Sequence, residues 1–430
     1  MKLLRNLLLF LIGTTAFAQN TVMVDPHFSP YSGSANLLFA QQLLIDADDA
    51  IFKSSNNRDS TSKVWGRAAE QLIFLSINGF ADVVQHEVFG HGYRLRELGY
   101  TPKKYTFNTE LLLFWGGATY FTEKEIDSMR VGEMTAVVVA GLEAESIMAR
   151  DLKMHWIGEG KIEGRLASCY IQAQQSLFWY TLITHLGKLE GDVPSGNDIQ
   201  AYMFYHNHSY PDGELTRGKL LRWASFNWLD PMTFYAYYSY FYYIAEGKPW
   251  SFPMISLGDN LKYLPNIKIG YAPYAPEAYL ENFFLHQGNP LYFYFKGGKR
   301  SFGVGIAYDH LYTNRRGSVG FRFDGWNQAV FNTPATMAEL EATNAAYRPS
   351  LNQRKWGAAL SFTGKLNLFS KLALFGELGG KTSGYLPGYA LDRALTARIG
   401  LTFGNNTLRQ KPTAEDTMNA KNQRSPYEKN

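Results

Sequence analysis

The period of the apolar positions changes once along the chain. Up to about residue 248, apolar residues recur every three to four positions, as in helices with a buried face. One helical pattern covers about Asn36 to Ile51, and a longer one runs from about Val64 to Leu98. A third opens at Thr122-Glu123-Lys124-Glu125, which has the form of a capping box, and continues through Val137, Leu142 and Ile147 to about Leu152. A fourth runs from about Lys161 to Lys188, whereas Gly191 to Gly213 reads as a polar connection.

From about Ser251 the period shortens to two. Ser301 to Tyr308, Ser318 to Asp324, Gly357 to Asn367, Leu372 to Leu378 and Ala394 to Phe403 all alternate. One face of these strands is apolar and partly aromatic, and the other carries Arg322, Asp324, Lys365, Glu377 or Arg398. Apolar-out and polar-in alternation marks outer-membrane barrel strands, and about eight can be counted, near the small-barrel number. The inward charges then form a plug of paired ions. A soluble antiparallel sheet shows the same alternation with its apolar face as core, and is the alternative. The expected fold is α+β in two domains: a mainly helical domain over 19–248, then an antiparallel barrel of outer-membrane type over 249–404.

The two ends fit an exported protein. Lys2 and Arg5, the apolar run Leu7 to Ile12 and Ala16-Phe17-Ala18 make residues 1–18 a signal peptide. Residues 405–430 are polar, lack a hydrophobic period and are expected to be disordered. The expected location is the outer membrane of a Gram-negative bacterium, or its periplasm. A single cysteine, Cys169, excludes an intramolecular disulfide framework and a thiolate-cage metal site. The formal charge of +4 is spread out without a basic stripe, so nucleic acid is not an expected partner. Aromatics at 15% of the chain suit packed aromatic surfaces or membrane-interface girdles.

The chemistry concentrates at His86-Glu87-Val88-Phe89-Gly90-His91, inside the second helical pattern. Two imidazoles suit a zinc ion, and a glutamate beside them can take a proton from the water it activates. His86 and His91 are five residues apart, which on a regular helix places them about 140° out of line. One extra residue can be absorbed by a π-bulge, and Gly90 and Gly92 supply backbone tolerance there. The spacing therefore predicts a bulge between Glu87 and His91. Asp82, one turn before His86, can orient its imidazole. Tyr205, His206, His208 and Tyr210 are candidates to steady an oxyanion.

This H-E-x-x-G-H run resembles the metal motif of the dipeptidyl-peptidase III family, zinc peptidases of the gluzincin kind. The resemblance implies His86 and His91 as zinc ligands, Glu87 as general base and a glutamate on a later helix as third ligand. In Ala140-Gly141-Leu142-Glu143-Ala144-Glu145 that residue is Glu143, with Glu145 as substitute, because Gly141 allows a close helix approach. The resemblance covers about sixty or seventy residues, and the family's paired acids in the later motif are not reproduced. It implies a zincin-like site rather than dipeptidyl-peptidase specificity.

The expected function is zinc-dependent hydrolysis of a peptide or protein substrate, with Glu87 as general base. Two alternatives stand: a non-enzymatic outer-membrane barrel with a helical periplasmic interaction module, and a non-haem iron protein using the same His and Glu ligands.

Overall fold

The computed structural model describes residues 20–52, 60–110, 113–187, 196–210, 213–331, 336–338 and 353–404. The expected leader and polar tail lie outside them. After a short strand β1 (Asn20–Val24) come helices α1 (Pro30–Phe52) and α2 (Ser60–His86). A π-helical turn, Glu87–His91, leads into α3 (Gly92–Glu97). The hairpin β2 (Lys104–Glu110) and β3 (Leu113–Tyr120) precedes α4 (Glu123–Ser128) and the long α5 (Val131–Glu159). Next are α6 (Ala167–Leu186), α7 (Asp198–Ser209), α8 (Arg217–Ala224) and α9 (Pro231–Glu246).

Apolar residues surround α5 rather than striping it, so it becomes the central helix. Val137, Val139, Ala140, Ala144, Met148 and Leu152 on it are all buried. The capping box forms as expected: Thr122 Oγ1 accepts from the Glu125 amide at 3.2 Å, and Glu125 Oε2 accepts from the Thr122 amide at 2.7 Å. It opens only the six-residue α4, because Met129 is extended and the chain restarts as α5 at Val131.

The later strands are β4 (Ile255–Gly258), β5 (Leu261–Ala272), β6 (Ala275–His286), β7 (Asn289–Gly298), β8 (Ser301–Asn314), β9 (Gly317–Ala329), β10 (Arg354–Phe369), β11 (Leu372–Lys381) and β12 (Ala394–Phe403). They form an antiparallel sheet in sequence order, and β1 joins it beside β12, with Asn20 opposite Phe403 and Val24 opposite Ile399. The protein is thus α+β, with ten strands rather than about eight. The sheet crosses the division expected near residue 248. It is also open, with β1 and β4 at its edges, so the closed barrel is not what forms.

Helices meet the strands where further strands would be needed. Asn36 on α1 accepts from the Met23 amide and donates to the Met23 carbonyl, both at 2.8 Å. Beyond the short pairing with β4, Asn227 likewise accepts from the Ile269 amide at 2.6 Å and donates to its carbonyl at 3.4 Å. Each side-chain amide satisfies one residue of strand backbone that would otherwise lack a partner.

The two faces of the sheet invert the usual polarity. Its outward side chains include Leu280, Phe295, Phe302, Phe362, Leu378 and Leu395, all exposed, the last by 88%. Inward are Glu277, Lys296, Asp324 and Arg398, all buried. The inner face is covered by α5, which packs on β5, β6 and β7. Met148, Leu152 and Trp156 share a core with Tyr170, Phe283, Tyr292 and Tyr294. The inward charges are paired: Lys296 with Glu277 at 3.1 Å, Arg322 with Asp324 at 2.7 Å, and Arg398 with Glu377 at 2.7 Å. Lys153 of α5 pairs with Asp230 at 2.9 Å.

Candidate metal centre

The five-residue spacing is accommodated by a local change of helix. Glu87–His91 forms the expected π turn, whose longer repeat brings His86 and His91 onto one side. Their rings meet edge to face at 4.8 Å between centroids, and their Nε2 atoms lie 3.1 Å apart. Two glycines allow this turn to lie against α5. A Cβ on Gly90 would come within 2.7 Å of the Ala140 carbonyl oxygen, and one on Gly141 would overlap the His86 imidazole. The close approach expected of Gly141 is real, but it seats the His86 ring rather than directing Glu143.

Both imidazoles are oriented from behind. His91 Nδ1 lies 2.7 Å from the Val137 carbonyl, which only an N–H can satisfy. His86 Nδ1 lies 2.9 Å from Glu145 Oε1. Protons on both Nδ1 atoms leave both Nε2 lone pairs facing the same point. The third donor there is Asp198 Oδ2, 3.0 Å from His86 Nε2 and 3.2 Å from His91 Nε2. These three residues form the single His, Cys, Asp and Glu group with metal-ligand spacing among the described residues.

The third position therefore falls to neither expected glutamate. Glu143 faces Arg94, whose Nη2 lies 3.0 and 3.1 Å from its two oxygens. It also accepts from the Tyr385 hydroxyl at 2.8 Å and from the Gly388 amide. A buried guanidinium and two further donors hold this carboxylate in a structural network. Glu145 sits behind His86, in the orienting role expected of Asp82. Asp82 is buried near both, with no hydrogen bond to its Oδ1.

Asp198 was obscured because Gly191 to Gly213 reads as a loop. Within it Asp198–Ser209 is helical, capped by Asn197, whose side chain accepts from the Gln200 amide at 3.0 Å. Asn197-Asp198-Ile199-Gln200 carries the cap and the glutamine spacing that could have revealed the helix. The expected oxyanion candidates share α7 or follow it. His206 lies against Tyr202 and Tyr210, and His208 Nδ1 meets the Phe204 carbonyl at 3.0 Å. Tyr180 of α6 is closer to the centre, with its hydroxyl accepting from the Asp198 amide at 3.0 Å and its ring 6.4 Å from His86.

Glu87 lies at the start of the π turn and is held from the hairpin. Thr119 on β3 donates to Glu87 Oε2 at 2.6 Å. Gly117 gives the carboxylate room, since a Cβ there would sit 2.8 Å from Glu87 Cγ. The strand β3 borders the centre through Thr119 and Gly117.

Acids outnumber bases here. His86 and His91 are surrounded by Asp198, Glu145, Glu87 and Asp82, and no lysine or arginine among the described residues hydrogen-bonds these four carboxyls. Burial opposes charging of His86, but Glu145 and Asp198 overcome it and hold its pKa well above the ordinary histidine value. His91 is raised more modestly, burial again being outweighed, chiefly by Asp198. Burial would raise Asp198, but His91 and His86 draw it well below the usual carboxylate range. Burial and then the Glu145 charge push Asp82 far upward. The centre thus attracts positive charge, whether a proton or a metal ion.

The donor set fits a metal. Tetrahedral zinc with ligands near 2.0 Å requires donors about 3.3 Å apart, close to the separations seen. No known protein family, curated protein or solved structure matches this chain.

Proposed function

We propose that this protein is a zinc-dependent hydrolase of peptide bonds, carried in a bacterial outer membrane by its sheet. The observation that carries the reading is the convergence of His86 Nε2, His91 Nε2 and Asp198 Oδ2, next in the chain to the buried Glu87, which is not part of that group. Three protein ligands leave a fourth zinc position, where zinc would lower the pKa of water and polarise a carbonyl. Glu87 takes the proton of the attacking water and returns it to the leaving amine. Thr119 fixes one Glu87 oxygen, and the other, without a hydrogen bond among the described residues, would act as the base. The Tyr180 phenol stays protonated, because burial and Asp198 hold its pKa well above the ordinary value, and it can donate to the developing oxyanion. A peptide substrate suits an extended β3 beside Glu87, where backbone can align with backbone.

Membrane insertion is supported by the outward face of the sheet, on which Leu280, Phe295, Phe302, Phe362, Leu378 and Leu395 are all exposed. None of the described helices is long and apolar enough to cross a bilayer, so the strands would do so.

The test is elemental analysis of the purified full chain alongside peptide-library cleavage read by mass spectrometry. We expect about one zinc per chain and cleavage. Glu87→Gln should keep the zinc and lose roughly 10²- to 10⁴-fold in rate. Iron in place of zinc would favour oxygen chemistry on a two-histidine, one-carboxylate set. Metal-free protein that stays folded and inactive would return the reading to a non-enzymatic membrane protein.

A further inference from the structure

Between α5, α6 and the inner face of the sheet lies a cavity of about 70 Å³, away from the His86–His91–Asp198 cluster. It has room for a few water-sized groups. Ser146, Gln174 and Lys268 all line it. Lys268 Nζ donates to Ser146 Oγ, the one hydrogen bond it makes among the described residues.

Lys268 departs from the pattern of its neighbours. Lys296, Arg322, Arg398 and Lys153 each have a carboxylate within about 3 Å. Lys381 gives its protons to the carbonyls of Gly384, Leu391 and Asp392. Two carboxylates share the cavity with Lys268: Glu281, whose oxygens accept from Tyr292 at 2.7 Å and Asn266 at 2.6 Å, and Glu143, which is held by Arg94. Glu281 acts on Lys268 only at longer range, so among the described residues this ammonium lacks the direct ion pair that the others have, at a cost that a partner anion would remove.

A second observation points to the same occupant. Gln174 is 5% exposed and its Nε2 has no hydrogen-bond partner. Two donors thus face one small space, so its occupant must be an acceptor, and a negatively charged one would also give Lys268 a direct ion pair.

We propose that Lys268, Gln174 and Ser146 form a binding site for a small oxyanion, such as a carboxylate the size of acetate or an inorganic phosphate. Lys268 supplies the charge, and Gln174 fixes the orientation by donating to one oxygen. The Ser146 hydroxyl, accepting from Lys268, turns its own proton to another. The site is independent of the metal centre and of its catalysis.

The test uses the full chain in detergent, equilibrated in a bulky zwitterionic buffer. Sodium acetate and sodium phosphate are titrated separately by calorimetry and thermal unfolding, with sodium chloride at equal ionic strength as control. Saturable binding of acetate or phosphate beyond the chloride control is expected, and which one binds identifies the source. Lys268→Met and Gln174→Leu should each weaken it at least about tenfold. No saturable binding by wild type, or unchanged affinity in either variant, overturns the site and leaves a water-filled cavity. A separate readout guards against misfolding. In anion-free buffer Lys268→Met should melt above wild type, because a buried charge without a direct ion pair is removed. A lower melting temperature would show that Lys268 is already neutralised within the protein, and would also overturn the proposal.

Discussion

Two buried clusters of charge in this protein are built on opposite plans. Inside the sheet, Lys296, Arg322 and Arg398 each meet an acid side chain directly. At the end of α2, four carboxyl groups surround two imidazoles, and no lysine or arginine among the described residues is bonded to them. Both regions are desolvated, so both need compensation. The first is compensated by its own side chains and is complete as structure. The second is compensated only when protons or a cation enter, which is what a binding site requires. Burial alone does not separate the two; the balance of charge does.

The largest test of this contrast sets two acids against each other. Asp198→Ala should leave the fold intact and abolish stoichiometric metal. Glu143→Ala should do the reverse: metal binding survives wherever the protein folds, but buried Arg94 keeps only Glu97 of its two carboxylate partners, at about 3 kcal/mol of stability. Elemental analysis and denaturant melts of both variants decide it. If Glu143→Ala loses metal at full stability, the site has been drawn on the wrong acid. Within the sheet, Lys296→Met should cost a similar amount, about 3–5 kcal/mol, by stranding Glu277, which is 1% exposed. That loss would have the opposite sign to the effect of Lys268→Met. Equal signs would remove the distinction between paired and unpaired lumen cations.

These two acids also show what the sequence could disclose. The H-E-x-x-G-H spacing was enough to expect a helix with one extra residue, because rotation per residue is fixed and only a bulge brings His86 and His91 together. The period-two strands were visible for a similar reason, and so was the inversion of apolar and charged faces. Asp198 was not, since a ligand arriving 107 residues after His91 is placed by tertiary packing rather than by local spacing. Glu143 looked suitable because a buried carboxylate demands a partner, but the sequence cannot say that Arg94 answers the demand. Strand closure was equally hidden. Alternation records which face of a strand is apolar, yet whether its edge meets a strand or Asn36 and Asn227 depends on how the helices pack.

A smaller effect probes the layer behind the ligands. Glu145→Gln keeps a hydrogen-bond acceptor for His86 Nδ1 but removes the charge that strengthens His86 as a ligand. Metal affinity should fall about 10- to 100-fold, with stoichiometry restored at higher metal concentration. Competition against a chromogenic chelator measures this directly. An affinity equal to wild type would mean that Glu145 only positions the ring.

The smallest effect is in the pH dependence, where proton and metal compete for one place. In metal-free protein His86 has a pKa raised by Glu145 and Asp198, so its contribution to stability is full below the unfolded histidine value and is lost as pH rises through the folded one. Asp198 is depressed, so its contribution is present above the unfolded aspartate value and is lost as pH falls towards the folded one. Metal-free protein should therefore be most stable in mildly acidic solution, between those limits. Metal binding must expel the proton from His86, so the stabilisation that metal adds should grow with pH over the range in which the metal-free form weakens. Paired melts with and without zinc from pH 5 to 9 would diverge upward if this holds. Parallel curves would mean that His86 binds metal without surrendering a proton, and the charge balance that distinguishes this centre from the sheet interior would lose its meaning.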